Sequence, residues 1–147
     1  MSAFEGIKSI FLCGYVGGAE FDEVFHSSEL LLHTESFNEK SMDFVKHSVS
    51  TKIADSMGSG IPIVAYGPEN VSSMKHLIRN DCVIIIRNEK ELEEKLLCAF
   101  EDAELRKKAV QKALKTAAVC HVSKVNSSCL YGIIEKAIDK NNYNIKK

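Results

Sequence analysis

The chain has 147 residues, 45% hydrophobic and 27% charged, with 19 Lys and Arg against 20 Asp and Glu and a formal net charge of -1. That length suits one compact domain with its own core and is too short for two ordinary ones. The balanced charge argues against a nucleic-acid partner, and the lack of Trp argues against a base-stacking or carbohydrate-stacking platform.

Cys13, Cys82, Cys98, Cys120 and Cys129 are odd in number, widely spaced and form no C-x-x-C pair. They read as reduced, small core hydrophobes of a cytoplasmic protein. The five histidines show no metal-ligand spacing such as H-E-x-x-H, so no metal is expected. The apolar run from Ile7 to Val16 follows Glu5 rather than a basic segment and contains Ser9 and Cys13, which does not suit a signal peptide. No run approaches the roughly 20 apolar residues of a membrane span, so no transmembrane segment is expected. The expected location is the cytoplasm, at most peripheral to the inner face of a membrane.

Ile7, Ile10, Phe11, Leu12 and Val16 predict a first strand, ended by the glycines of Gly14-Tyr15-Val16-Gly17-Gly18. That cluster has neither the G-x-G-x-x-G spacing nor a following Lys-Ser/Thr, so it reads as a turn. Phe21, Val24 and Phe25 at i, i+3, i+4 predict a helix, and Glu29 to His33 a second strand. In an open α/β sheet ligands bind beyond the carboxyl ends of strands. The segment His33–Lys40, with Glu35 and Glu39, is therefore expected to help form a site.

The stretch from Ser48 to Pro68, SVSTKIADSMGSGIPIVAYGP, organises the rest. At about 100° per residue, Val49, Ile53 and Met57 share one helical stripe, while Ser48, Thr51, Lys52 and Asp55 fall opposite. Hydroxyls, a cation and a carboxylate near a helix start suit a phosphate and a ribose. An ordinary solvated helix face is the competing reading. Ile61 to Tyr66 is an unbroken apolar run of the kind buried on both faces of a parallel sheet.

Val71, Met74, Leu77 and Ile78 predict the next helix, with Ser72 or Ser73 as its N-cap, and Cys82 to Ile86 a fourth strand. Asn88-x-x-Glu91 is a capping-box-like start for a helix carrying Leu92, Leu96, Ala99 and Phe100. Asp102 caps a further helix with Leu105, Ala109 and Ala113 on one face, ending near Ala118. A last amphipathic helix runs from Ser123, with Val125, Cys129, Ile133 and Ala137 as its stripe. Residues 1–140 are expected to form one domain and 141–147, NNYNIKK, a flexible tail.

Three of these stretches together, FLCGYV at Phe11–Val16, ELLLH at Glu29–His33 and STKIAD…GIPI at Ser50–Ile63, resemble the nucleotide-sugar-binding domain of GT-B glycosyltransferases, especially the family 4-like group. The resemblance spans about Ile7 to Ile138. It implies a Rossmann-like parallel sheet of about four strands with flanking helices, forming part of a donor domain whose first strand–helix units are missing. It implies transfer of a sugar from a nucleoside diphosphate sugar to an acceptor hydroxyl, with retention and without a metal. Asp55 would take the ribose hydroxyls, Ser50, Thr51 and Lys52 the diphosphate and sugar, and Glu35 or Glu39 the donor sugar. Many members carry E-x7-E, whereas here the residue eight positions before Asp55 is His47. The Arg and Lys that relatives use to neutralise the diphosphate have no counterpart early in the chain.

A GT-B active site lies between two domains, so an acceptor-binding domain or partner chain is expected to complete the enzyme, and the lone chain is expected to be inactive. The alternative is a non-catalytic α/β interaction module or remnant of a glycosyltransferase, whose open sheet edges invite self-association. A receiver-like domain would need a phosphoacceptor Asp ending a strand, and no strand run ends in one.

Overall fold

Short apolar runs alternating with helices build a parallel sheet. The structure, a computed structural model, describes residues 7–145, with side chains over 7–139. β1 (Leu31–Thr34), β2 (Ile63–Tyr66) and β3 (Ile84–Ile86) lie in the order β1-β2-β3, all parallel. Leu31 stands opposite Ile63, and Val64 opposite Ile84. Parallel neighbours require a crossover. Here it is α2 (Glu39–Val45) with α3 (Lys52–Gly58) between β1 and β2, then α4 (Ser72–Asn80) between β2 and β3. α1 (Gly18–His26) precedes the sheet, and α5 (Leu92–Glu101), α6 (Ala103–Cys120) and α7 (Ser123–Ile145) follow it.

The two-residue period of a strand divides the core into two layers. Ile63 and Ala65 face Ile53 and Met57 of α3, Met74 and Leu77 of α4, and Ala113 of α6. Val64, Ile84 and Ile86 turn the other way, onto Leu92, Leu96 and Ala99 of α5. β2 is covered on both faces, which explains its unbroken apolar run. Among the described residues β1 and β3 are the edge strands, and Leu32 of β1, on the face that α5 leaves open, is 66% exposed.

Several elements follow their sequence signals. Asp102 Oδ1 accepts from the Leu105 amide at 2.8 Å. Asn88 caps a 3-10 turn at Glu89–Glu91, accepting from the Lys90 and Glu91 amides, before α5 begins. Others differ. Among the described residues the sheet has three strands and not about four, because Ile7–Val16 forms none. Ile7, Ile10, Phe11, Leu12 and Tyr15 are all exposed there. A parallel strand needs a hydrogen-bonded neighbour and a covering layer, and this run is offered neither.

Ser72 and Ser73 do not cap α4, whose N-cap is Val71. Their hydroxyls instead reach back to the carbonyls of Lys46 and Ser48. Of the cysteines only Cys82 is buried; Cys13, Cys98, Cys120 and Cys129 are exposed, so four of the five are not core residues. The stripe expected on α7 lies open, with Val125 and Ile133 exposed, because nothing among the described residues packs along it. α7 extends through residues 141–145 of the expected tail, and residues 146–147 lie outside the described residues.

Candidate functional site

β1 delivers two polar side chains to one face at its carboxyl end, because residues two apart in extended chain point the same way. His33 Nε2 lies 3.2 Å from Glu35 Oε1, and the two side chains are only 15% and 12% exposed. The Glu35 amide donates to the Tyr66 carbonyl at 2.9 Å, prolonging the β1–β2 ladder past its last paired residue. Glu35 can sit there only because residue 67 is glycine. A Cβ on Gly67 would lie 2.8 Å from Glu35 Cβ and 3.3 Å from its backbone nitrogen.

The segment before α3 forms the opposite wall. Its anchor is Ser73, 2% exposed, whose Oγ accepts from the Ser50 amide at 3.1 Å and donates to the Ser48 carbonyl at 3.4 Å. The N-terminal turn of α4 thereby fixes residues 48–50. Between the walls lies a polar cleft of about 320 Å³, lined by His33, Thr34, Glu35, Ser48, Ser50, Lys52 and Ser73 together with Leu32 and Val45. A second, more apolar cleft of about 310 Å³ adjoins it on the α1 side, lined by Phe21, Phe25, Leu31, Leu32, His33, Lys52, Asp55, Ser56 and Ile63. Both fall at the lower end of the size range for small-molecule sites.

Of the residues expected to form a site, Ser50, Lys52 and Glu35 therefore share one cleft. Asp55 faces the neighbouring one. Thr51 is exposed as the N-cap of α3 and lines neither, as does Glu39 in the first turn of α2. The helix expected to begin near Ser48 begins at Lys52 and spans seven residues. Its first amides are already engaged: Ile53 N–H donates to the Ser50 carbonyl at 3.1 Å and Ala54 N–H to that of Thr51 at 3.3 Å. Charge for an anion must then come from side chains more than from a free helix start.

Sequence reasoning placed His33 at the start of the expected site segment, Ser48 on the polar helix face and Ser73 as a candidate N-cap, but assigned a particular ligand contact to none of them, nor to Gly67. The His33–Glu35 pairing was signalled by the two-residue period of a strand. Ser73 carried no such signal, since its bond to Ser50 spans 23 positions.

What the fold and these clefts define is an α/β protein with a parallel three-stranded sheet and a polar site beyond the end of its edge strand. No family model matches the chain, and no curated protein matches it in sequence. Among the described residues, no helix is long and apolar enough to cross a membrane.

Proposed function

We propose that this chain is the donor-binding part of a nucleotide-sugar-dependent glycosyltransferase. In net terms, the bond from the anomeric carbon to the diphosphate oxygen breaks, its electron pair leaving on the diphosphate. A new bond forms to the acceptor oxygen, and the hydroxyl proton is released. The observation that carries this reading is the gathering of Ser50, Lys52 and Glu35, from two successive β–α units, around one polar cleft, with Asp55 one helical turn on in the adjoining cleft. A cation suits the diphosphate, and carboxylates suit the hydroxyls of sugar and ribose. The reaction takes no cofactor in this scheme, because side-chain cations assume the charge-neutralising part of a metal.

Lys52 is the one permanently charged cation lining either cleft among the described residues. Removing a single preorganised donor from a developing oxyanion costs about 10²–10³ in rate. The chain alone is therefore a weak donor binder, and transfer requires an acceptor-binding domain or partner chain. A cytoplasmic location, peripheral to a membrane where the acceptor is a lipid, goes with this reading. The open edge of β1 and the uncovered stripe of α7 favour a second one, an interaction module that keeps the architecture without the chemistry.

Calorimetric titration with UDP, GDP and UDP-sugars separates the two. The donor reading expects saturable, millimolar binding, weakened about tenfold, or 1.4 kcal/mol, in Lys52→Ala and in Asp55→Asn. Absence of binding at about 10 mM nucleotide would contradict it and leave the interaction module.

A further inference from the structure

The two clefts share a wall, and two of the residues on that wall are polar. His33 and Lys52 line both the Ser50–Glu35 cleft and the Phe21–Asp55 cleft. On the donor-binding reading, a nucleoside diphosphate sugar has two bulky ends joined by an anionic bridge. Its nucleoside suits the cleft walled by Phe21 and Phe25, with Asp55 for the ribose, and its sugar suits the polar cleft. The bridge then crosses the shared wall.

We infer that His33 is the second cation of the site, holding the diphosphate together with Lys52, and that Glu35 is the positioning residue that presents it. The argument rests on which ring nitrogen is free. Nε2 is engaged by the Glu35 carboxylate at 3.2 Å, and Nδ1 has no hydrogen-bond partner among the described residues. A carboxylate and a phosphate are both acceptors. A ring that serves Glu35 through Nε2–H and a phosphate oxygen through Nδ1–H must carry both protons. Binding of the diphosphate is thus coupled to protonation of His33. The charged groups facing the ring are Glu35 beyond β1 and Lys52 and Asp55 on α3. α1 presents Phe21 and Phe25, α2 presents Val45, α4 presents Ser73, and the segment before α3 presents Ser48 and Ser50, none of which adds charge.

The assignment also fits the helix start. With the Ile53 and Ala54 amides already bonded within the chain, α3 offers little of a phosphate cradle. A second side-chain cation therefore has to supply what the backbone does not.

The test is calorimetry with UDP-glucose at pH 8.0 in buffers of different ionisation enthalpy, which counts protons taken up on binding. UDP-glucose serves as the probe because its diphosphate is a diester with no proton titrating near neutral pH. The wild-type chain is expected to take up close to one proton per nucleotide sugar. His33→Gln is expected to bind about tenfold more weakly with no uptake. Phe21→Ala is expected to lose affinity while keeping it. Saturable binding by the wild-type chain without proton uptake, or uptake unchanged in His33→Gln, would overturn the role of His33 and leave the donor-binding reading standing. No binding by the wild-type chain would overturn both.

Discussion

Glu35 depends on a residue that makes no polar contact with it. The missing Cβ of Gly67 leaves the space that the Glu35 backbone and Cβ occupy beside the end of β2. The atoms in the way are backbone and Cβ rather than the end of a flexible chain, so they cannot rotate aside. Gly67→Ala is expected to destabilise the fold by about 1–3 kcal/mol, the usual cost of overpacking, and to weaken nucleotide-sugar binding by displacing Glu35 from His33. Denaturant unfolding together with the UDP-glucose titration checks this; unchanged stability and binding would mean the loop yields freely. Gly67 directly follows the apolar run Ile61–Tyr66, where a turn residue belongs, but its closeness to Glu35 is not legible there. A turn is a local property, whereas that approach depends on the parallel register of β1 and β2. Glu35 and Lys52, singled out by their positions after a strand and on a polar helix face, do line the polar cleft. Thr51 and Glu39 looked equivalent to them by composition, yet both are exposed and line neither cleft.

Elements were legible where local chemistry decides them. Asp102 caps the helix its spacing announced, Asn88 caps a 3-10 turn ahead of α5 rather than α5 itself, and β2 declares its burial by its apolar run. Ile7–Val16 has the composition of a strand and forms none, since strand formation depends on a neighbour that composition does not reveal. The start of α3 shifted to Lys52 because Ser73, on a distant helix, binds the Ser50 amide and the Ser48 carbonyl and holds that backbone outside the helix.

A third element-level feature had no sequence signal at all. His76 of α4 and His121, just past α6, meet with their Nε2 atoms 3.1 Å apart. Burial, and then the charges of His121 and Arg79, push the His76 pKa below its ordinary value. The folded state therefore prefers neutral His76, and the unfolded chain binds the proton more readily. The resulting stability is complete above about pH 6.5, the ordinary histidine value, and is lost as pH falls from there through the lowered folded value. Wild-type protein should thus lose more stability between pH 7.5 and 5.5 than His76→Gln, as read by urea unfolding at each pH. Equal losses would show that the pair does not set the acid sensitivity.

On the scale of the whole molecule, among the described residues, β1 and β3 are both edge strands, and one face of the sheet is covered unevenly. β3 and β2 are covered by α5, whereas β1 is an edge with Leu32 exposed and α7 lies with its stripe uncovered. The alternation of strands and helices made the α/β class and the parallel sheet legible from the sequence. The number of strands was not, because it turned on the one run that lacks a neighbour. The clefts sit at the β1 edge, where a donor half-site would meet the rest of an enzyme. With a formal net charge of -1 the chain carries little repulsion against such an association.

The most direct measurement is an amide NMR titration of the full chain with UDP-glucose, which reports both whether the nucleotide sugar binds and where. Binding at the proposed site predicts saturable shifts confined to residues 33–35, 48–56 and 73 and to the Phe21–Phe25 face of α1. Shifts that do not saturate at about 10 mM, or that cluster elsewhere, such as the Arg79–Lys115 side of α4 and α6, would contradict a donor half-site on this sheet.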